Sequence, residues 1–176
     1  VGVAGSAEKC RFVVEELGFD ACINHHAEDF EAQLAAACAD GIDVYFENVG
    51  GRVFKAVLPL LNQFARVPIC GVISHYNDTE LPPGPDATPL ILRSALVKRL
   101  TIRGFLVWDF AEQESEALRD IAQWIKDGQL KYREDFVDGL AAAPGALIGL
   151  LKGENFGKLV VRVAPEQDRK STRLNS

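Results

Sequence analysis

The chain has 176 residues, 48% of them hydrophobic and 25% charged, which places it in the range of one ordinary folded domain and excludes disorder by composition. Its formal net charge of -6, with no basic stripe interleaved with aromatics, argues against nucleic acid as a partner; the one basic cluster, Arg169, Lys170 and Arg173, falls in a polar tail. Apolar runs stop short of the roughly 20 residues that span a bilayer, and no secretory layout opens the chain, so no membrane partner and a cytoplasmic location are expected.

Apolar, β-rich runs alternate with helical periodicity, the pattern of βαβ units around a parallel sheet. Strands are expected over 1–4, 21–24, 43–47, 67–73 and 100–107. Between the first two, Phe12, Val13 and Leu17 fall near one face of a helix that Gly18 stops. Phe30, Leu34 and Cys38 then recur every four residues in a helix that Asp40-Gly41 ends. A third helix is expected over about 53–63, kinked or shortened by Pro59. Residues 77–86, NDTELPPGPD, read as a surface loop, and Thr88-Pro89 after them as a capped helix start. The strongest helix spans 112–126, with Leu118, Ile121 and Ile125 on its buried face and acids in its first turn.

After Gly128 the rhythm changes to a short strand at 132–137, a small-residue helix at 145–151, the turn Gly153-Glu154-Asn155 and a last strand at 158–163. This stretch has too little apolar surface to stand alone and is expected to dock elsewhere. Residues 167–176 have no periodicity, and their end, DRKSTRLNS, resembles translated adapter read-through rather than native protein. Four cysteines, Cys10, Cys22, Cys38 and Cys70, show no metal-ligand spacing and are expected to be reduced and mostly buried.

The opening run ends in Gly5-Ser6-Ala7. In a doubly wound domain the second strand ends where an adenosine ribose sits, and NAD enzymes place a carboxylate there for its 2′-hydroxyl. Here Gly5 and Ser6 leave room instead, and Lys9 follows one helical turn on, where an ammonium would face a 2′-phosphate. That favours NADP over NAD, and beside it stands the plain reading of an ordinary strand-to-helix turn with a solvated lysine.

Taken in order, GSAEKCRFVVEELGFD (5–20), YFENVGG (45–51), CGVISHYN (70–77), GFLVWDF (104–110) and NFGKLVVRV (155–163) resemble the zinc-independent medium-chain dehydrogenase/reductase family. Within it they are similar to the NADP-dependent alkenal, prostaglandin and leukotriene reductases, over about residues 1–165. The resemblance implies an α/β fold, a partial Rossmann-type doubly wound parallel sheet, with the first βα unit and its glycine-rich pyrophosphate turn missing. It implies three segments: 1–128, a partial NADP-binding domain; 129–165, a return segment of a GroES-like catalytic domain; and 166–176, a disordered, non-native tail. On that reading the chain is a C-terminal fragment, inactive alone. The missing strand is central in the order 3-2-1-4-5-6, so the remaining strands either pair across the gap or leave two apolar edges.

By resemblance, Gly5, Ser6 and Lys9 would hold the 2′-phosphate of NADP, and His25 stands where relatives commonly carry a tyrosine near the adenosine. A surface histidine without a role is the alternative for His25. Asn48, at a strand end, matches a cofactor-contacting asparagine, or else simply makes a bend before Val-Gly-Gly. Cys70, Gly71, Ile73 and Ser74 match the crossing toward the nicotinamide ribose, where a glycine permits close approach. Phe105, Leu106 and Val107 match a strand beside the carboxamide, or are core; Asn155 matches a further contact, or is a turn residue beside Gly157. Tyr76 is the candidate catalytic residue, or an aromatic capping its loop. The implied reaction is conjugate reduction of an enone or enal, with a Tyr76 hydrogen bond to the carbonyl oxygen where charge develops. Three scattered histidines give no metal set, so none is expected. A homodimer is expected from relatives. A quinone or carbonyl reductase of the same superfamily and a non-catalytic nucleotide-binding module remain as alternatives.

Overall fold

A computed structural model describes residues 1–80 and 84–164. The middle of the loop expected at 77–86 and the tail expected at 166–176 therefore lie outside the described residues. The chain divides into two compact units, Val1–Leu130 and Lys131–Ser176.

In the first unit, β1 (Gly2–Ala4) leads into α1 (Ala7–Glu15), whose start is capped by Ser6: its hydroxyl accepts from the Lys9 amide at 3.2 Å. Gly18, at φ +74°, turns the chain back toward β2 (Cys22–Asn24), which pairs in parallel with β1, Gly2 opposite Cys22 and Ala4 opposite Asn24. α2 (Phe30–Ala37) turns its four-residue apolar rhythm inward, with Phe30 and Leu34 buried. β3 (Ile42–Val44) follows the turn at Gly41.

The third helix is shorter than expected. α3 covers Gly51–Val57, a single tight 3-10 turn follows at Leu58–Leu60, and β4 (Leu61–Ile69) begins where helix was expected and ends before Ile73. Pro59 explains the break, since it cannot donate to a helical ladder and clashes with the preceding turn. The carbonyls released there are satisfied from a distance: Lys98 Nζ donates to Pro59 O at 2.8 Å and Leu61 O at 2.6 Å. Within β4, Phe64 sits at φ +63° where the register against β3 slips, and Arg99 lies 4.6 Å over its ring.

α4 (Thr88–Lys98) starts one residue from the expected cap: Thr88 is already helical, and Asp86 Oδ1 accepts its amide at 2.9 Å. β5 (Thr101–Gly104) pairs in parallel with β4. A 3-10 segment at Val107–Gln113 precedes α5 (Glu114–Lys126). Leu118, Ile121 and Ile125 on α5 are not buried; Leu118 is 60% exposed. An amphipathic stripe states that a face is meant to be covered but not by what, and among the described residues nothing covers this one.

Phe30, Leu34, Val53, Val57, Leu58, Leu61 and Val67 form the core, joining α2 and α3 to β4. The five strands of this unit nonetheless form a pair, β1–β2, and a trio, β3–β4–β5, with no ladder between them. Of the two outcomes expected for the sheet, the chain takes the second, leaving the free edges of β1 and β3 unpaired. Beside the β3 edge, Val44 and Phe46 are about half exposed.

The second unit is one βαβ turn: β6 (Glu134–Asp138), α6 (Ala143–Leu151) and β7 (Lys158–Arg162), the strands in parallel register over five residues. Gly157 is obligatory there, because a methyl group on it would lie 2.2 Å from the Arg133 carbonyl oxygen. The thiols are less buried than expected: Cys70 is exposed and the other three are half-buried, all free. Among the described residues no helix is long and apolar enough to cross a membrane.

Candidate cofactor site

The C-terminal ends of parallel strands are where open α/β sheets bind ligands. At the end of β4 the chain leaves the sheet through Cys70 and Gly71, and at the end of β5 through Phe105 and Leu106. These four residues, with Ile69, Val72, Tyr76, Gly104 and Asp109, line a cavity of about 430 Å³. Five of the residues expected from sequence thus meet in one place: Cys70, Gly71, Tyr76, Phe105 and Leu106. Phe105 is wedged edge-on between Phe46, 6.0 Å away, and Phe110, 5.9 Å away.

Gly71 has a local reason to be glycine. A methyl group on it would sit 2.7 Å from the Tyr76 hydroxyl oxygen, so only a bare backbone lets the phenol lie across it. Tyr76 itself is 60% exposed and follows a 3-10 turn, Ile73–His75. Its loop is pinned at the next residue pair, His75 Nδ1 meeting Asp78 Oδ2 at 2.7 Å.

Ile73 and Ser74 do not line the cavity. Their amides donate to the Asn48 and Val49 carbonyls, each at 3.0 Å, and the Ser74 hydroxyl also donates to Val49. They therefore hold the Asn48–Gly51 bend in place, with Asn48 exposed at its start. Val107 is exposed on the 3-10 segment beyond β5. Asn155 belongs to the second unit, where its amide donates to the Gly157 carbonyl at 2.8 Å and its side chain borders a cavity of about 250 Å³.

Glu47 is the residue that reading the sequence missed. It is 2% exposed, and its Oε1 accepts from the Val49 amide at 2.6 Å, the Gly50 amide at 2.8 Å and the Tyr45 hydroxyl at 3.2 Å. One carboxylate oxygen thus folds the bend that Gly50, at φ +74°, and Gly51, at φ +54°, complete. Burial and the neighbouring Glu47 carboxylate push the Tyr45 phenol well above its ordinary range. Glu47 Oε2 is buried with no hydrogen-bond partner among the described residues. The available signal was an acid three residues before a Gly-Gly step, directly after the apolar run Val44-Tyr45-Phe46.

At the tip of β1 the expected adenosine residues also gather. A methyl group on Gly5 would lie 3.3 Å from His25 Nε2 and 3.7 Å from His26 Nε2. The two imidazoles lie 4.0 Å apart between centroids, tilted by 40°. Arg52, from α3, donates to the His25 and Ala27 carbonyls at 3.1 and 3.2 Å and forks onto Glu31 at 2.9 Å, tying the β2–α2 turn to α3. That ion pair draws the Glu31 carboxyl down to about 2. Burial lowers the His25 pKa, and His26, Arg52 and Lys9 lower it further. Behind this corner, burial and then the adjacent Cys10 thiol raise Cys22 to about 12, so it remains a protonated thiol.

Fold and crevice together define a class: an open α/β domain of parallel strands with an aromatic-walled cavity at the C-terminal ends of β4 and β5. The chain belongs to the family described as Zinc-binding dehydrogenase, whose model matches residues 1–125. It is 58% identical over 165 residues to NADPH-dependent curcumin reductase of Escherichia coli (strain K12), covering 93% of this chain and 48% of that protein. It is 39% identical over 165 residues to prostaglandin reductase 1 of Bos taurus, covering 92% and 48%. Among solved structures, CurA from Vibrio vulnificus in complex with NADPH superposes with a TM-score of 0.90 at 51% identity, covering 94% of this chain and 49% of that one. The chain therefore spans about half the length of the curated relatives it matches. Despite the family's description, no group of three or more His, Cys, Asp or Glu among the described residues is placed to hold a metal ion.

Proposed function

We propose that the whole protein reduces the carbon–carbon double bond of α,β-unsaturated aldehydes or ketones with NADPH, and that this chain supplies most of its cofactor-binding half. The observation that carries this reading is the cavity where the Tyr76 hydroxyl lies across Gly71 at the end of β4. The relatives' NADPH-dependent names support the choice of cofactor. The residues that would hold it are Gly5, Ser6, Lys9 and His25, where Lys9 and Arg52 bring positive charge to His25 beside Gly5, with the cavity beside Gly71 for the nicotinamide end. Asn48 and Asn155 are assigned as further contacts.

When bound, NADPH supplies the hydride for conjugate reduction. The work of the chain is to orient and to stabilise. Tyr76 offers a phenolic O–H to the substrate carbonyl oxygen, where negative charge develops once the β-carbon is reduced. Phe105, Leu106 and Val72 supply the apolar wall beside the reacting edge. The Asn48–Gly51 bend, held by Glu47 and Ser74, sets how closely the backbone approaches the cavity. The protein is further proposed to act as a cytoplasmic homodimer, joined through its cofactor domains.

The test is Tyr76→Phe in the whole protein, assayed with NADPH and an enal. Loss of one oxyanion donor lowers kcat about hundredfold, with the KM for NADPH unchanged. An unchanged kcat overturns the assignment. A quinone oxidising NADPH faster than any enone selects the quinone-reductase alternative instead.

A further inference from the structure

The β1 tip differs from an ordinary basic phosphate site in one respect: the side chains nearest Gly5 are two imidazoles rather than fixed cations. His25 and His26 both turn Nε2 toward Gly5, at the place where α1 begins, and their rings lie 4.0 Å apart, tilted by 40°. The charged groups facing His25 come from three directions. Lys9 approaches from α1, Arg52 from α3, and His26 from the same turn. Glu31 on α2 is engaged by the Arg52 fork, and Glu28 and Asp29 follow the two histidines in the same turn. His25 is thus held neutral near pH 7 by burial and by cations around it.

Such a group has an obvious response to a dianion. Resting on the cofactor reading above, we propose that His25 takes up a proton when the 2′-phosphate of NADP binds at Gly5, so that discrimination of NADP from NAD sharpens as pH falls. The phosphate reverses the local field: repulsion from Lys9 and Arg52 is offset, and a protonated Nε2 donates a charge-assisted hydrogen bond. His26 packs beside the ring at 4.0 Å, and the Arg52 bond to the His25 carbonyl fixes the backbone from which it reaches. NAD carries a hydroxyl at that position and brings no charge, so its binding leaves His25 neutral.

The linkage has a sign. His25 binds more protons in the NADP complex than in the free protein, so affinity rises as pH falls through the window between its free and bound pKa values. The 2′-phosphate remains largely a dianion above its own pKa near 6, so pH 6.5 to 8.5 isolates the histidine. A proton fully coupled to binding changes Kd tenfold per pH unit, and partial coupling over this range gives about three- to tenfold.

The experiment is calorimetric titration of the whole protein with NADP⁺ and NAD⁺ at pH 6.5 and 8.5, in two buffers of different ionisation enthalpy, for the native protein and His25→Gln. The expected result is three- to tenfold tighter NADP⁺ binding at the lower pH with net proton uptake, both lost in His25→Gln and both absent with NAD⁺. Histidine NMR of the native protein, titrated with adenosine 2′-monophosphate, removes dependence on the variant: the His25 pKa must rise on binding. If native protein and variant share one pH profile while enal reduction persists, the proton linkage is wrong and the proposed function stands. If native protein binds neither nucleotide, the cofactor reading falls and this inference with it.

Discussion

At the scale of single residues, two side chains explain why the crevice keeps its shape. Glu47 is a buried carboxylate whose one oxygen gathers two backbone amides and a phenol. Replacing it by alanine strands those donors, and unsatisfied buried donors cost about 1–3 kcal/mol each. Glu47→Ala is therefore expected to lose about 2–4 kcal/mol in urea unfolding of the whole protein, and Glu47→Gln, which keeps an acceptor, about 1 kcal/mol. Equal losses would show that the carbonyl-type acceptor is not what matters. Gly71 acts on geometry rather than stability. A methyl group 2.7 Å from the Tyr76 hydroxyl must displace it, so Gly71→Ala is expected to lower kcat at least tenfold while stability stays within about 1 kcal/mol. If Tyr76→Phe is already present, Gly71→Ala should then cost little more, because both remove the same hydroxyl from the same place.

At the scale of elements, legibility in the sequence followed the source of each signal. The strand–helix alternation through α1, α2 and α4 was readable because local rules act there: a stop at Gly18, a four-residue apolar period at Phe30 and Leu34, and a proline in the first turn at Pro89. β4 was misjudged at both ends because residues 61–64 have no strand alternation; their place is set by tertiary pairing with β3 across a register slip. Phe64 in a left-handed conformation could not have been foreseen, since nothing in its neighbours announces a bulge. The cavity was legible through motif resemblance, residue by residue, whereas Glu47 was not, because an acid at a strand end reads as a solvated residue until its amide partners are seen. α2 is one of the elements that build the core. Phe30 is fully buried against the α3 and β4 side chains, and Phe30→Ala is expected to cost about 3–5 kcal/mol in thermal or urea unfolding. A loss below about 1 kcal/mol would place the core elsewhere.

For the molecule as a whole, the α5 face carrying Leu118, Ile121 and Trp124 is exposed, as are Val44 and Phe46 beside the free β3 edge. Uncovered apolar patches and open edges bind hydrophobic dyes and other chains. This chain expressed alone is therefore expected to bind such a dye strongly, to self-associate, and to show no enal reduction with NADPH. Measurable turnover by the isolated chain would contradict the proposal that catalysis needs the remainder of the protein. The break in the sheet reaches further than solubility. Because the strand pair and the strand trio share helices but no ladder, their backbone amides have no common opening event. Deuterium labelling of this chain should then sort them into two protection classes, with the amides of Val67 and Ile69 exchanging late and those of Gly2 and Ile23 early. Whatever joins the two halves of the sheet would merge these into one cooperative unit, so coenzyme grip at the basic corner and ring placement at the aromatic cavity become a single event only once the sheet is continuous.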